Sequence, residues 1–176
     1  YPIEEDYWAS AIEYADSVGV DVINTSLGYT KFDAPATSFT REMLDGESSL
    51  IARAANNAVK KGMFLVISAG NAGNKEWGKI STPADAKNVL TVGAIARDST
   101  IANFSSKGLT ADLRVKPDVV ALGRGSVVIS EDGRASYKNG TSFSSPIMCG
   151  IVTCLWQAFP SLTNIELLEV IRQSGD

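Results

Sequence analysis

Apolar positions along this chain fall into two patterns. In the first they recur every three or four residues. Trp8, Ala11, Ile12, Ala15 and Val18 predict a helix from about Asp6 to Val18, stopped by Gly19. Ile51, Ala54, Ala55, Ala58 and Val59 predict a second over Ser48–Lys61, closed by Gly62. In the second pattern the apolar residues run on without alternation: "VDVINTSL" (20–27), "MFLVISAG" (63–70), "NVLTVGAI" (88–95) and the shorter "KPDVVALG" (116–123). Strands that are apolar on both faces, alternating with amphipathic helices, predict a three-layer α/β fold, a mostly parallel sheet with helices on both faces. "SVVISEDGRASYKNG" (126–140) differs and predicts a small β-hairpin near 126–138 around Asp132-Gly133. Two helices, about Ser142–Ala158 and Thr163–Gln173, close the chain on either side of Pro160. Residues 28–47 are polar and turn-rich, long enough for a functional loop.

Size and charge narrow the classes. A chain of 176 residues suggests one domain, or part of a larger one. Its 44% hydrophobic content suffices for a core, and its net charge of −4 excludes a nucleic-acid footprint, which needs clustered Lys and Arg. The pair Lys60-Lys61 reads as a helix end facing water. No apolar run reaches the ~18–20 residues that span a bilayer. The chain opens on Tyr1 rather than Met, which reads as an excised segment and leaves its compartment unread. Cys149 and Cys154, five residues apart on one predicted helix, are separated by a rise of ~7.5 Å. Disulfides rarely bridge Cα atoms more than about 7 Å apart, so two buried, unpaired thiols are expected.

In open α/β sheets ligands sit where strands end and helices begin. Three stretches lie at such points. In "NGTSFSSP" (139–146), Gly140-Thr141-Ser142 read by itself is a helix start with a hydroxyl cap. Pro146 weakens that reading, since proline suits the first helical position and disturbs the ladder further in. A serine there is also a candidate nucleophile, because the positive end of a helix favours developing negative charge. "SAGNAGN" (68–74) reads as a turn, as Gly-Asn pairs tolerate positive φ. It also reads as a place where Asn71 offers a side-chain amide at a strand end. A phosphate loop fits poorly, because "KEWGKISTP" (75–83) has no helical periodicity. "TSLG" (25–28) either ends a strand or offers a free edge to a peptide.

Taken together and in this order, the three stretches resemble the subtilisin-like serine peptidases, the subtilases. Gly140, Thr141, Ser142 and Pro146 match the family's nucleophile signature, "SAGNAGN" the stretch with the oxyanion asparagine, and "VDVINTSLG" the strand lining the substrate cleft. "NVLTVGAI", "FSSKG" (104–108) and "KPDVVALG" also fall in family order, although Leu122 stands where a proline is usual. The resemblance covers nearly the whole chain.

The resemblance implies that Ser142 attacks a peptide carbonyl and that Asn71 donates to the oxyanion. It implies that the substrate runs between Ser26-Leu27-Gly28 and Ser68-Ala69-Gly70, and that the loop at Ser81-Thr82-Pro83 shapes the first specificity pocket. Family triads run Asp, His, Ser along the chain. The sequence has no histidine, so residues 1–176 are expected to be the carboxyl-terminal part of a catalytic domain, with the Asp and His motifs upstream. That segment is expected to be inactive alone and to associate through an exposed edge strand at 20–26. No cofactor is expected; calcium sites in the family depend largely on other segments, and Glu4-Glu5-Asp6 reads as a solvated helix start. A secreted or extracytoplasmic location is implied by the resemblance alone. A peptide-binding module without catalysis, or a structural domain with a vestigial site, stays open at this stage.

Overall fold

A computed structural model describes residues 1–175. In chain order the elements are α1 (Ile3–Ser17), β1 (Val22–Thr25), α2 (Leu50–Lys60), β2 (Phe64–Ser68), β3 (Leu90–Ile95), β4 (Gly108–Leu109), β5 (Val115–Lys116), β6 (Val119–Leu122), β7 (Arg124–Ile129), β8 (Ala135–Asn139), α3 (Thr141–Ala158) and α4 (Asn164–Gln173), with one 3₁₀ turn at Arg41–Met43. β1, β2, β3 and β6 form one sheet in that order, every pair parallel.

The run at 63–70 is apolar throughout because β2 is covered on both faces, and all five of its residues are buried. Leu65 and Ile67 face one way, packing with Ile12 of α1 and Ala52, Ala55 and Val59 of α2. Phe64 and Val66 face the other, packing with Val152 of α3 and Leu167, Leu168 and Ile171 of α4. These are the two helical layers that the apolar patterns predict. Ser49 caps α2 by accepting from Ala52 N–H (3.1 Å), and Thr163 and Glu166 form a reciprocal capping box on α4.

Several expectations are corrected. Helix α1 starts at Ile3 rather than near Asp6, since Pro2 presets φ for the first turn. Glu5 is not solvated: it is buried, and desolvation pushes its carboxyl above the usual range although the Ile51 N–H opposes this. Cys149 and Cys154 are both unpaired, but neither is fully buried: Cys149 is half-buried and Cys154 exposed.

The run 116–123 is not one strand. It splits into β5 and β6 around Pro117, and β5 turns away to pair antiparallel with β4. The split creates a buried clasp. Lys116 Nζ donates to Val89 C=O (3.0 Å) and pairs with Asp118 (2.6 Å), and Asp118 also accepts from Thr91 N–H (2.7 Å) and Arg172 Nε of α4 (2.9 Å). Burial pushes Lys116 down to about 8 against the pull of Asp118. Removing one partner of a buried pair strands the other charge. Asp118→Ala is therefore expected to cost about 3–5 kcal/mol, measured as a fall in the urea midpoint at unchanged m-value. A loss near zero would mean that the clasp does not hold α4 to the sheet.

Candidate active site

The first turn of α3 is set by the residue before it. Gly140 sits at φ +155°, ψ +149°, a conformation that a side chain would strain, and it turns the chain from β8 into the helix. Thr141 follows, fully buried, and its polar atoms are all committed. Its hydroxyl accepts from Gly70 N–H (3.1 Å) and donates to Asn71 Oδ1 (3.1 Å). Its backbone N–H donates to that same oxygen (2.8 Å). A backbone N–H can only donate, so the carbonyl end of the Asn71 amide must face Thr141. The Nδ2 end is left on the cavity side, where it makes no hydrogen bond among the described residues.

The next residue is Ser142. A helix leaves its first N–H groups without intrahelical acceptors. Phe143 N–H finds the Gly140 C=O (3.1 Å), whereas Ser142 N–H has no acceptor among the described residues. Two donors, Asn71 Nδ2–H and Ser142 N–H, thus remain unused beside the Ser142 hydroxyl at the positive end of α3. This pairing is what an oxyanion needs.

Pro146 lies inside α3 rather than at its start, and its position has a consequence. Lacking an N–H, it cannot donate to Ser142 C=O one turn back. Ser26 supplies the missing donor: its Oγ–H bonds Ser142 C=O at 3.1 Å, while Ser142 Oγ–H bonds Ser26 C=O at 3.3 Å. Asn24 supports the contact, donating to Ser26 Oγ (3.0 Å) and accepting from Ser145 Oγ (2.7 Å).

A cavity of about 230 Å³ opens at this point. Ser26, Leu27 and Gly28 form one wall, with Ser68, Gly70, Asn71 and Ser142 around the rest. Leu27 and Gly28 make no backbone hydrogen bond among the described residues, so that edge is free. The opposite stretch differs from expectation. Ala69 is fully buried and lies outside the cavity; its N–H is spent on Val92 C=O and its C=O on Ser81 N–H. Gly70 is similarly occupied, by Thr141 on one side and Ser106 N–H on the other (2.9 Å). The 68–70 stretch is therefore a floor and not a strand open to pairing. Ser81 lines the cavity, and Thr82 is bonded to Tyr29 through both backbone groups (2.9 and 3.2 Å), which holds the 81–83 loop against the free edge.

Sequence reasoning placed Ser142, Asn71, Ser26, Leu27, Gly28, Ser68 and Gly70 at one cavity, where the structure also has them. It gave no role to Thr141, although that residue belongs to the matched signature. It also passed over Lys75, Lys79 and Ser106, which line the same cavity; "FSSKG" was the available signal for the serine. Lys75 and Lys79 are the only titratable side chains along the lining, and neither can relieve a serine of its proton while charged. No group of three His, Cys, Asp or Glu residues suited to a metal ion occurs among the described residues.

Comparison with known proteins yields similarities in sequence and structure. The sequence model of the subtilase family matches residues 4–175. The chain is 33% identical over 168 residues to a thermophilic serine proteinase of Bacillus sp. (strain AK1), covering 96% of this chain and 35% of that protein. It is 33% identical over 156 residues to the human membrane-bound transcription factor site-1 protease, covering 85% of this chain and 13% of that protein. Among solved structures, a cold-adapted subtilisin-like serine proteinase superposes with a TM-score of 0.73 at 21% identity, over 94% of this chain and 52% of that one. Sphericase does so with 0.72 at 24%, over 96% and 55%. The chain thus spans about a third or less of these two relatives in sequence, and about half of the solved structures.

Proposed function

The chain belongs to the subtilase family, and from that premise we propose that it is the nucleophile-bearing part of a subtilisin-like serine endopeptidase domain. The observation that carries this reading is the Asn71 amide, turned by Thr141 so that its N–H₂ end is free beside Ser142. The free donor has no partner within the fold among the described residues. In the mechanism, Ser142 Oγ attacks the carbonyl of a peptide whose backbone pairs with Leu27 and Gly28. Ser142 N–H and Asn71 Nδ2–H then hold the oxygen as it becomes negative. A histidine outside these residues takes the Ser142 proton and later returns it to the leaving amine, and an aspartate orients that histidine. A secreted or extracytoplasmic location belongs to the same reading; no helix among the described residues is long and apolar enough to cross a membrane. No cofactor is needed for this chemistry.

The test uses the native polypeptide that carries these residues. A fluorophosphonate probe is expected to label Ser142 within minutes, and Ser142→Ala is expected to abolish both labelling and peptide cleavage. A competing reading, a groove that binds peptides without cutting them, draws on one observation: nothing along the cavity lining can accept the Ser142 proton. Absence of labelling in the native polypeptide would decide for it.

The same reading accounts for an open sheet edge. β1 is the outermost strand, and its far side has no partner among the described residues. Next to it α3 exposes Ile147 and Ile151, at 42% and 52%, whereas Leu155 packs into the core. Edges of this kind recruit other chains. A solution of the 176-residue chain is expected to form dimers or larger species through residues 20–26, measured by light scattering across a concentration series. A monomer at high concentration, with 22–25 protected from hydrogen exchange, would mean that the chain covers this edge itself.

A further inference from the structure

We infer that the cavity beside Ser142 is built to receive an acidic side chain, that of the residue contributing the scissile carbonyl. The inference rests on the peptidase reading for the pose of the substrate, and on three observations for its charge preference.

The first is the sign of the lining. The chain as a whole carries −4, yet the cavity has two lysines, Lys75 and Lys79, and no carboxylate. Neither ammonium has an ion-pair or hydrogen-bond partner among the described residues, which include acids that pair with Lys61, Lys87 and Lys116 instead. An unneutralised pair of positive charges at a concave surface concentrates field inside it and favours an anion.

The second is the hydroxyl inventory of the floor. Ser81 Oγ has no hydrogen-bond partner among the described residues, although Ser81 itself is only 8% exposed. Ser106 Oγ accepts from Ala72 N–H (3.0 Å), which leaves its own proton without an acceptor there. Each is a hydroxyl with a donor to spare. A carboxylate accepts only, so it matches such a floor; an aliphatic side chain would leave these donors buried and unmet.

The third is room. A Cβ on Gly28 would lie 2.2 Å from Ser81 Oγ, and one on Gly70 would lie 3.0 Å from Ser81 Oγ and 3.1 Å from Ser106 Oγ. Glycine at both positions keeps a side chain from crowding over the two hydroxyls, which line the cavity. Lys79 lies against Gly108, where its Nζ would come within 2.7 Å of a Cβ on that glycine, and its long stem can swing the charge toward an occupant.

Binding tests this without requiring turnover. In the native polypeptide carrying these residues, with Ser142→Ala to silence cleavage, calorimetry would compare otherwise identical peptides. They end in Glu, Gln, Leu or Lys at the position that fills the cavity. Glu is expected to bind about tenfold tighter than Gln or Leu, equivalent to about 1.4 kcal/mol, and Lys weakest. The preference should shrink in 0.5 M salt and vanish in Lys75→Gln/Lys79→Gln. Lys75 is exposed and Lys79 half-buried, neither has a partner to lose among the described residues, and an unchanged melting temperature would show that the fold is intact. Leu binding as well as Glu, or a Glu preference that survives loss of both lysines, overturns the inference. The two levels separate cleanly. If Ser142 in the unmutated polypeptide labels with fluorophosphonate but Leu is preferred, only the pocket assignment fails. If Glu is preferred but Ser142 never labels, the peptidase reading fails and the acidic pocket stands.

Discussion

A preparation of the 176 residues alone is expected to cleave peptides at least about 10⁶-fold more slowly than a complete site of this type, a magnitude taken from subtilisin stripped of its histidine. The physical reason lies in the hydroxyl. An alcohol is a poor nucleophile at neutral pH until a base withdraws its proton during attack. Here the Ser142 proton points at the Ser26 carbonyl oxygen, 3.3 Å away, which accepts a hydrogen bond but not a proton. The other groups around the cavity are hydroxyls, amides and two ammonium groups. The two unused donors can still stabilise an oxyanion, so weak residual reactivity is expected, as found when oxyanion donors remain after loss of a triad. The measurement is fluorophosphonate labelling with intact-mass detection, beside turnover of a fluorogenic peptide. Stoichiometric labelling of Ser142 within minutes would show that a base exists within these residues and that the mechanism proposed here is wrong.

In the native polypeptide, Asn71→Ala is expected to lower kcat by about 10²–10³ with KM nearly unchanged, the size seen for the equivalent donor in subtilisin. The split between constants matters because the donor meets negative charge that exists only in the transition state. Asn71→Asp makes the sharper comparison. It preserves an oxygen for Thr141 N–H and Oγ–H, so the local hydrogen bonds survive, but it replaces the free donor with a charge that repels the oxyanion. Its kcat should fall below that of Asn71→Ala. A raised KM with normal kcat in either variant would make Asn71 a residue that binds ground-state substrate.

Much of the fold was legible because burial on two faces leaves a mark on composition. β2 has no polar residue before Ser68, and α2 keeps its apolar side at helical spacing, so sheet and helical layer could both be read. The division at Pro117 was not legible, since a short apolar run looks the same whether it belongs to one sheet or bends into two. Glu5 reads as a solvated acid in any helix start; its burial depends on how α1 lies across α2, which no local pattern encodes. At the site, motif order located Ser142 and Asn71. The commitment of Ala69 and Gly70 to Val92, Ser81, Thr141 and Ser106 depends on contacts 12 to 71 positions apart in the chain, and local sequence is silent on these.

The exchange of hydrogen bonds between Ser26 and Ser142 closes a small ring, hydroxyl to carbonyl in both directions, between the tip of β1 and the first turn of α3. The ring makes the rotamer of the nucleophile and the position of the strand tip a single cooperative variable. The tip belongs to the outermost strand, so whatever docks along that edge also narrows the rotational entropy of one hydroxyl. Pro146, by withholding one N–H, thus ties the reactivity of a single oxygen atom to the stiffness of a sheet.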